Sequence, residues 1–216
     1  MSNISKTAPT LDKQLSRALM LVATLGACSY FSANAQSSSN SWLAPQRVAL
    51  LHLLAFASWF GCSIWVSLVA GIVMFKTLPR HVFGRLQARL FPAYFKFSTA
   101  TLVVSVATSG AIDKDGIPYL LIVTLAANLL NQLYFEPATT KVMYQRHAVE
   151  KRLGTGHEVG KIKPDDPVKA NNPELVALSK TFGMLHGIST LLTLGGIGAG
   201  CVWLNACADQ LASAGP

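Results

Sequence analysis

Lys96, Asn131, Glu136 and His186 stand within or at the ends of long apolar stretches of this chain. A carboxylate in such surroundings is costly unless it is paired or protonated, so Glu136 with Lys96 or His186 beside it suits an ion, a proton or a headgroup. The same four residues would also serve as a clamp fixing helix register, with Lys96 snorkelling outward, and both uses stay open. Depth follows from a rise of ~1.5 Å per residue, with the stretch centres near Gly61, Leu102, Ala127 and Gly195. On that scale Glu136 and His186 lie ~13 Å, Lys96 ~9 Å and Asn131 ~6 Å to one side of the centre. His52 lies ~13 Å to the other side, so His52 and His186 stand roughly 27 Å apart and cannot share a haem or a metal ion. There is no phosphate-binding loop, no H-E-x-x-H and no nucleophile elbow, and Gly195–Gly198 sits in an apolar run with no preceding strand. Cys62, Cys201 and Cys207 form no C-x-x-C pair and are expected to be small apolar packing residues, and Cys28 is expected to leave with an N-terminal signal peptide. No catalytic residue, metal ligand or cofactor is assigned, and a non-enzymatic protein is expected.

The elements that would position these groups are four apolar segments, residues 48–75, 91–112, 117–135 and 182–208. Each is close to the ~20 residues a helix needs to cross a bilayer, and each is apolar all round rather than on one stripe. Composition agrees: the 216 residues are 51% hydrophobic and 13% charged, with a mean hydropathy of +0.39. Such a chain is not a disordered tail, a collagen-like repeat or a disulfide-stapled miniprotein. Its net charge of +8 is carried on too little charge for a nucleic-acid surface, so no nucleic-acid partner is expected. The charge orients the bundle instead. Lys76, Arg80, Arg85 and Arg89 follow the first segment, and Lys141, Arg146, Lys151, Arg152, Lys161, Lys163, Lys169 and Lys180 follow the third. The opposite side has Arg47 and Lys114, so the positive-inside rule places the two basic loops in the cytoplasm. The expected fold is all-α: an integral membrane four-helix bundle with a short interfacial helix and a basic cytoplasmic loop.

Local signals refine this expectation. Residues 1–35 carry Lys6, Lys13 and Arg17, a short apolar run and Ala33-Asn34-Ala35, the layout of a cleaved signal peptide. A transit peptide and a retained helix remain the alternatives, and with them a secretory or plasma membrane against a mitochondrial or plastid one. A polar linker, 36–46, leads to the helical domain, 47–208, and a short tail, 209–216. Pro79 opens an expected interfacial helix, 79–90, whose Arg80, Arg85 and Arg89 would reach anionic lipid headgroups. A polar helix is expected over 139–153, a mobile linker over 154–171, and a last helix begun by Asn172-Pro173-Glu174 that runs on into the fourth segment. Small residues at four-residue spacing are expected to let helices approach closely: Ser63, Ser67 and Gly71, Gly183 and Gly187, Gly196 and Gly200. A homo-oligomer seam is the alternative use of these stripes.

Several of these segments resemble one family. His52-Leu53-Leu54, Gly71-Ile72-Val73-Met74-Phe75-Lys76-Thr77-Leu78-Pro79-Arg80-His81-Val82-Phe83-Gly84, Leu90-Phe91-Pro92-Ala93-Tyr94-Phe95, Phe135-Glu136-Pro137-Ala138-Thr139-Thr140 and Phe182-Gly183-Met184-Leu185-His186-Gly187 are similar, in order, to the transmembrane protein 205-like family. Arg146-His147-Ala148-Val149-Glu150-Lys151 is particularly similar to plant and algal members. The likeness runs from about residue 47 to 205. Where the family reads Glu-Pro-Arg-Thr-Thr this chain has Ala138, so no role of that arginine carries over. The resemblance implies a four-helix membrane domain and supplies no catalytic residue, substrate or cofactor; members are linked with vesicle traffic and drug resistance. Two functions are expected in the lipid bilayer: a trafficking or scaffold component with a protein partner or anionic lipid on its basic loop, or an oligomeric small transporter or channel component using the Lys96–Asn131–Glu136–His186 group.

Overall fold

The computed structural model describes residues 44–112, 118–161 and 166–213. The targeting segment, most of the 36–46 linker and residues 113–117 lie outside the described residues. Four long helices carry the fold, and no strand occurs among the described residues. Helix α1, Pro45–Thr77, starts on a proline whose missing N–H costs nothing there, and changes to π-helical winding over Trp65–Ala70. Helix α2 is Arg80–Ala111, with a last tight turn at Ser109–Ala111. Helix α3 runs through Tyr119–Leu130, a π-segment Asn131–Phe135, and Glu136–Arg152. Helix α4 is Pro173–Ser213, capped as its sequence predicts, with the Leu175 N–H donating to Asn172 Oδ1 at 2.9 Å.

Helices α1, α2 and α4 are long and apolar enough to cross a membrane. The first part of α3 is as apolar, but Asn128, Asn131 and Gln132 interrupt it and turn toward neighbouring helices. The chain is therefore an all-α membrane bundle. Helix α1 packs on α2, α2 on α3, and α3 on α4 along both its apolar part and its polar extension. One core cluster joins Phe56 and Trp59, Leu102 and Val103, Leu121 and Leu125, and Trp203 and Cys207, two residues from each helix. A second, nearer the basic end, joins Val66, Tyr94 and Phe95.

The separate interfacial helix over 79–90 does not form. Arg80–Thr108 is one helix with Pro92 inside it. No capping glycine or asparagine stands between Leu90 and Phe91, and Pro92 forfeits a single N–H, the one that would reach the Ala88 carbonyl. Beyond α3 the expected mobile linker is also different in its first half. Residues 153–161 turn back across the start of α2. Gly154, Gly156 and Gly160 have φ of 70°, 106° and 83° and shape this return loop. Pro79 bridges to Val159, the Arg80 N–H donates to the Glu158 carbonyl at 2.9 Å, and the His81 N–H to the Gly156 carbonyl at 3.1 Å. The loop thereby satisfies N–H groups that the first turn of α2 cannot satisfy internally.

Candidate functional site

The return loop, the start of α2 and the end of α3 enclose a cluster of charged side chains at the basic end of the bundle. Its centre is Glu150, fully buried on α3. Glu150 Oε1 lies 3.2 Å from Arg80 Nε and 3.2 Å from Arg146 Nε. These are charge contacts without hydrogen-bond geometry. Glu150 Oε2 accepts a hydrogen bond of 2.8 Å from His81 Nε2. Arg80 also donates to Glu158 Oε2 at 2.8 Å, to the Gly160 carbonyl at 3.0 Å and to Thr155 Oγ1 at 3.2 Å. Arg146 lies 4.8 Å over the Phe182 ring, which ties the cluster to α4. A buried carboxylate so surrounded is expensive to disturb: removing one member of a buried ion pair costs about 3–5 kcal/mol.

His147 completes the group. Its ring centroid lies 4.3 Å from that of His81, and its Nε2 is buried with no hydrogen-bond partner among the described residues. Burial, the facing His81 and the guanidiniums of Arg146, Arg80 and Arg85 push its pKa down to about 3, so it is neutral at physiological pH. Burial lowers the pKa of Arg146 as well, against the raising effect of Glu150. Glu158 is held below its ordinary value by its own N–H and that of Gly156, with Arg80 and Thr155 adding to the effect. Two glycines make room for the imidazoles. A Cβ on Gly84 would fall 2.4 Å from His147 Cε1, and one on Gly156 would fall 2.1 Å from His81 Nε2. The donor atoms of His81, His147 and Glu150 all lie within 4.8 Å of one another, a set whose chemistry suits a metal ion.

The sequence-derived candidates fall elsewhere. Arg80, expected at the headgroups, is only 7% exposed and is a structural member of the cluster. Arg85 and Arg89 are exposed, as lipid contacts must be. Lys96 is exposed on α2. Asn131 is buried and donates to the Ser189 carbonyl at 3.1 Å and to Thr193 Oγ1 at 3.2 Å. Glu136 accepts from Thr140 at 3.0 Å, and His186 is exposed and stacked on Phe182 at 5.6 Å. The contacts of Asn131 and His186 thus lead to residues other than the expected partners. Gly196 and Gly200 do bring α4 against Trp59, Phe60 and Thr124. Ser63 is buried, donating to the Trp59 carbonyl and accepting from Tyr94. Ser67 is half-buried, and Gly71 lies closest to Val66 of its own helix. Gly183 and Gly187 face nothing within 4 Å among the described residues, so this stripe does not pack those helices together.

Polar groups inside the bundle are mostly paired. His52, fully buried, donates from Nδ1 to the Ser105 carbonyl at 3.0 Å and accepts from Trp203 Nε1 at 3.1 Å, joining α1, α2 and α4. Asn128 donates to Thr99 Oγ1 at 2.8 Å, and Thr99 donates to Gln132. Between these groups lies a void of about 10 Å³ lined by Trp59, Ser63, Tyr94, Asn128, Asn131 and Thr193. That is room for one water molecule, and the buried, unpaired Oδ1 of Asn131 offers it an acceptor.

Glu150, His81 and His147 are not evident from sequence, because each sits in a segment that reads as a solvated basic surface. One signal was present: His147 and Glu150 share a helix face at i, i+3, with Arg146 one turn before Glu150. A family model described as a domain of unknown function (DUF4149) matches residues 54–148, from Leu54 on α1 to Ala148 on α3. Transmembrane protein 205 of Danio rerio is 31% identical over 169 residues, which cover 73% of this chain and 89% of that protein. No solved structure matches. On the extent of that identity and the membrane bundle it coincides with, this chain belongs to the transmembrane protein 205 family.

Proposed function

We propose that the protein is a non-enzymatic scaffold component of a membrane trafficking system, which engages anionic lipid headgroups or an acidic protein partner at its basic end. The observation that carries this reading is a folded, internally braced cap from which Lys76, Arg85, Arg89, Lys141 and Lys151 project as exposed cations, while Arg152 pairs with Glu174 at 2.9 Å. A rigid basic surface beside the apolar spans gains about 1 kcal/mol per Lys or Arg near an anionic membrane surface. The void inside the bundle has room for one water molecule and, among the described residues, is too small for a larger solute. The test is lipid retention by the purified full chain in mild detergent, measured by native mass spectrometry. Preferential retention of phosphatidylserine over phosphatidylcholine, lost in the Arg85→Ala/Arg89→Ala variant, supports the reading. Equal retention of both lipids refutes its lipid form.

A transporter or channel component is the second reading, and it needs an oligomer. It is favoured by α4, of whose most apolar window only 11% is buried within the chain. A strictly monomeric particle with no flux in liposomes would end it.

A further inference from the structure

We propose that His81, His147 and Glu150 form a binding site for a divalent transition metal ion of the zinc class, pinning the start of α2 to the end of α3. The donors are two imidazoles and one carboxylate, within 4.8 Å of one another. That mixture selects zinc and neighbouring first-row ions over magnesium or calcium, which take oxygen ligands. His147 is nine-tenths buried, and its Nε2 meets no hydrogen-bond partner among the described residues. A buried imidazole nitrogen left without a partner is uncommon, and a metal ion would satisfy it.

The geometry needs a small opening. Ligand atoms at ~2.0–2.1 Å from a tetrahedral ion stand about 3.3 Å apart. His81 Nε2 and Glu150 Oε2 are 2.8 Å apart, so the pair must part by roughly half an ångström. Ligation through His81 Nε2 moves that ring to its Nδ1–H tautomer. Glu150 divides its work: Oε1 faces Arg80 and Arg146, which hold the carboxylate in place, and Oε2 is the oxygen turned to the imidazoles. Arg80 and Arg146 are balanced by Glu150 and Glu158, and His147 is neutral, so the residual positive charge that an entering cation meets is that of Arg85. The crowding of Gly84 and Gly156 against the two rings keeps both imidazoles facing each other. Three protein ligands leave a fourth position for water or an external donor. The site stands on different residues from the exposed cations of the scaffold reading, so either can fail alone.

The test uses untagged full chain, stripped of metal with a chelator and titrated with Zn²⁺ by calorimetry in detergent. One ion per chain is expected, with at least about 10-fold weaker binding in His147→Ala. Replacing Zn²⁺ by Co²⁺ should give the visible absorption of a low-coordinate nitrogen- and oxygen-ligated ion, absent in the variant. A wild-type-only measurement guards against a misfolded variant: Zn²⁺ should slow diethyl pyrocarbonate modification of His81 and His147 and leave His157 unchanged. No stoichiometric binding, equal affinity in His147→Ala in a folded variant, or unaltered modification of His81 and His147 would overturn the proposal.

Discussion

Gly156→Ala probes the join between the return loop and the helices. Gly156 has φ of 106°, a conformation that an alanine enters only with strain of about 1–3 kcal/mol. Its new Cβ would also lie 2.1, 2.2 and 2.6 Å from three atoms of the His81 ring. The ring is held between Glu150 and His147 and cannot swing aside freely, so the 2.8 Å bond from His81 to Glu150 must break or stretch. A buried acceptor losing one partner adds about 1–3 kcal/mol. The expected cost is therefore roughly 2–6 kcal/mol. Gly154→Ala is the control: its φ is 70° but nothing lies within 4 Å of a Cβ there, so only backbone strain of about 1–2 kcal/mol applies. The assay is limited proteolysis of the full chain in nanodiscs, under conditions where cleavage reports the open population. Cleavage within residues 153–161 should be much faster in Gly156→Ala than in Gly154→Ala. Equal rates in the two variants would refute the close approach of the loop to His81.

Three further outcomes follow from the same contacts. Glu150→Gln should lower stability by about 3–5 kcal/mol by leaving Arg80 and Arg146 without their buried counter-charge, read as a fall in the thermal transition in detergent. Gly200→Leu should destabilise by about 1–3 kcal/mol through overpacking against Phe60 and Trp59, whereas Gly187→Ala, with nothing within 4 Å, should stay within about 0.5 kcal/mol of wild type in that assay. Acid should loosen the return loop through Glu158: its folded pKa is below the ordinary 4.5, so its contribution is complete above that value and is lost as pH falls through the folded pKa. Proteolysis of the loop should accelerate on acidification below 4.5, and Glu158→Gln should flatten that dependence.

The sequence shows the spans because burial in lipid demands long apolar runs, and no tertiary knowledge is needed to see them. The start of α4 is equally legible, since Asn172-Pro173 is a local device whose cap bond forms within the helix's first turn. The join of 79–90 to the second span is not, because proline inside a helix is tolerated when the surrounding packing holds both halves. Gly154, Gly156 and Gly160 illustrate a deeper ambiguity. Glycines signal freedom when nothing packs on them, and a tightly bent loop when something does. The difference lies in His81, 75 residues before Gly156, and periodicity carries no information about that meeting. For the same reason Arg80 reads as a headgroup contact: its partners Glu150, Thr155, Glu158 and Gly160 are brought to it only by the return of the chain.

The basic end is a folded cap built on Glu150. Amide hydrogen exchange of the wild-type chain in nanodiscs tests it directly. The N–H groups of Arg80 and His81, hydrogen-bonded across this junction, and those of Thr155 and Gly156, hydrogen-bonded to Glu150 and Glu158 where the chain turns back, should exchange at least about 100-fold more slowly than in an unstructured peptide. Exchange of these four amides at free-peptide rates would contradict the account.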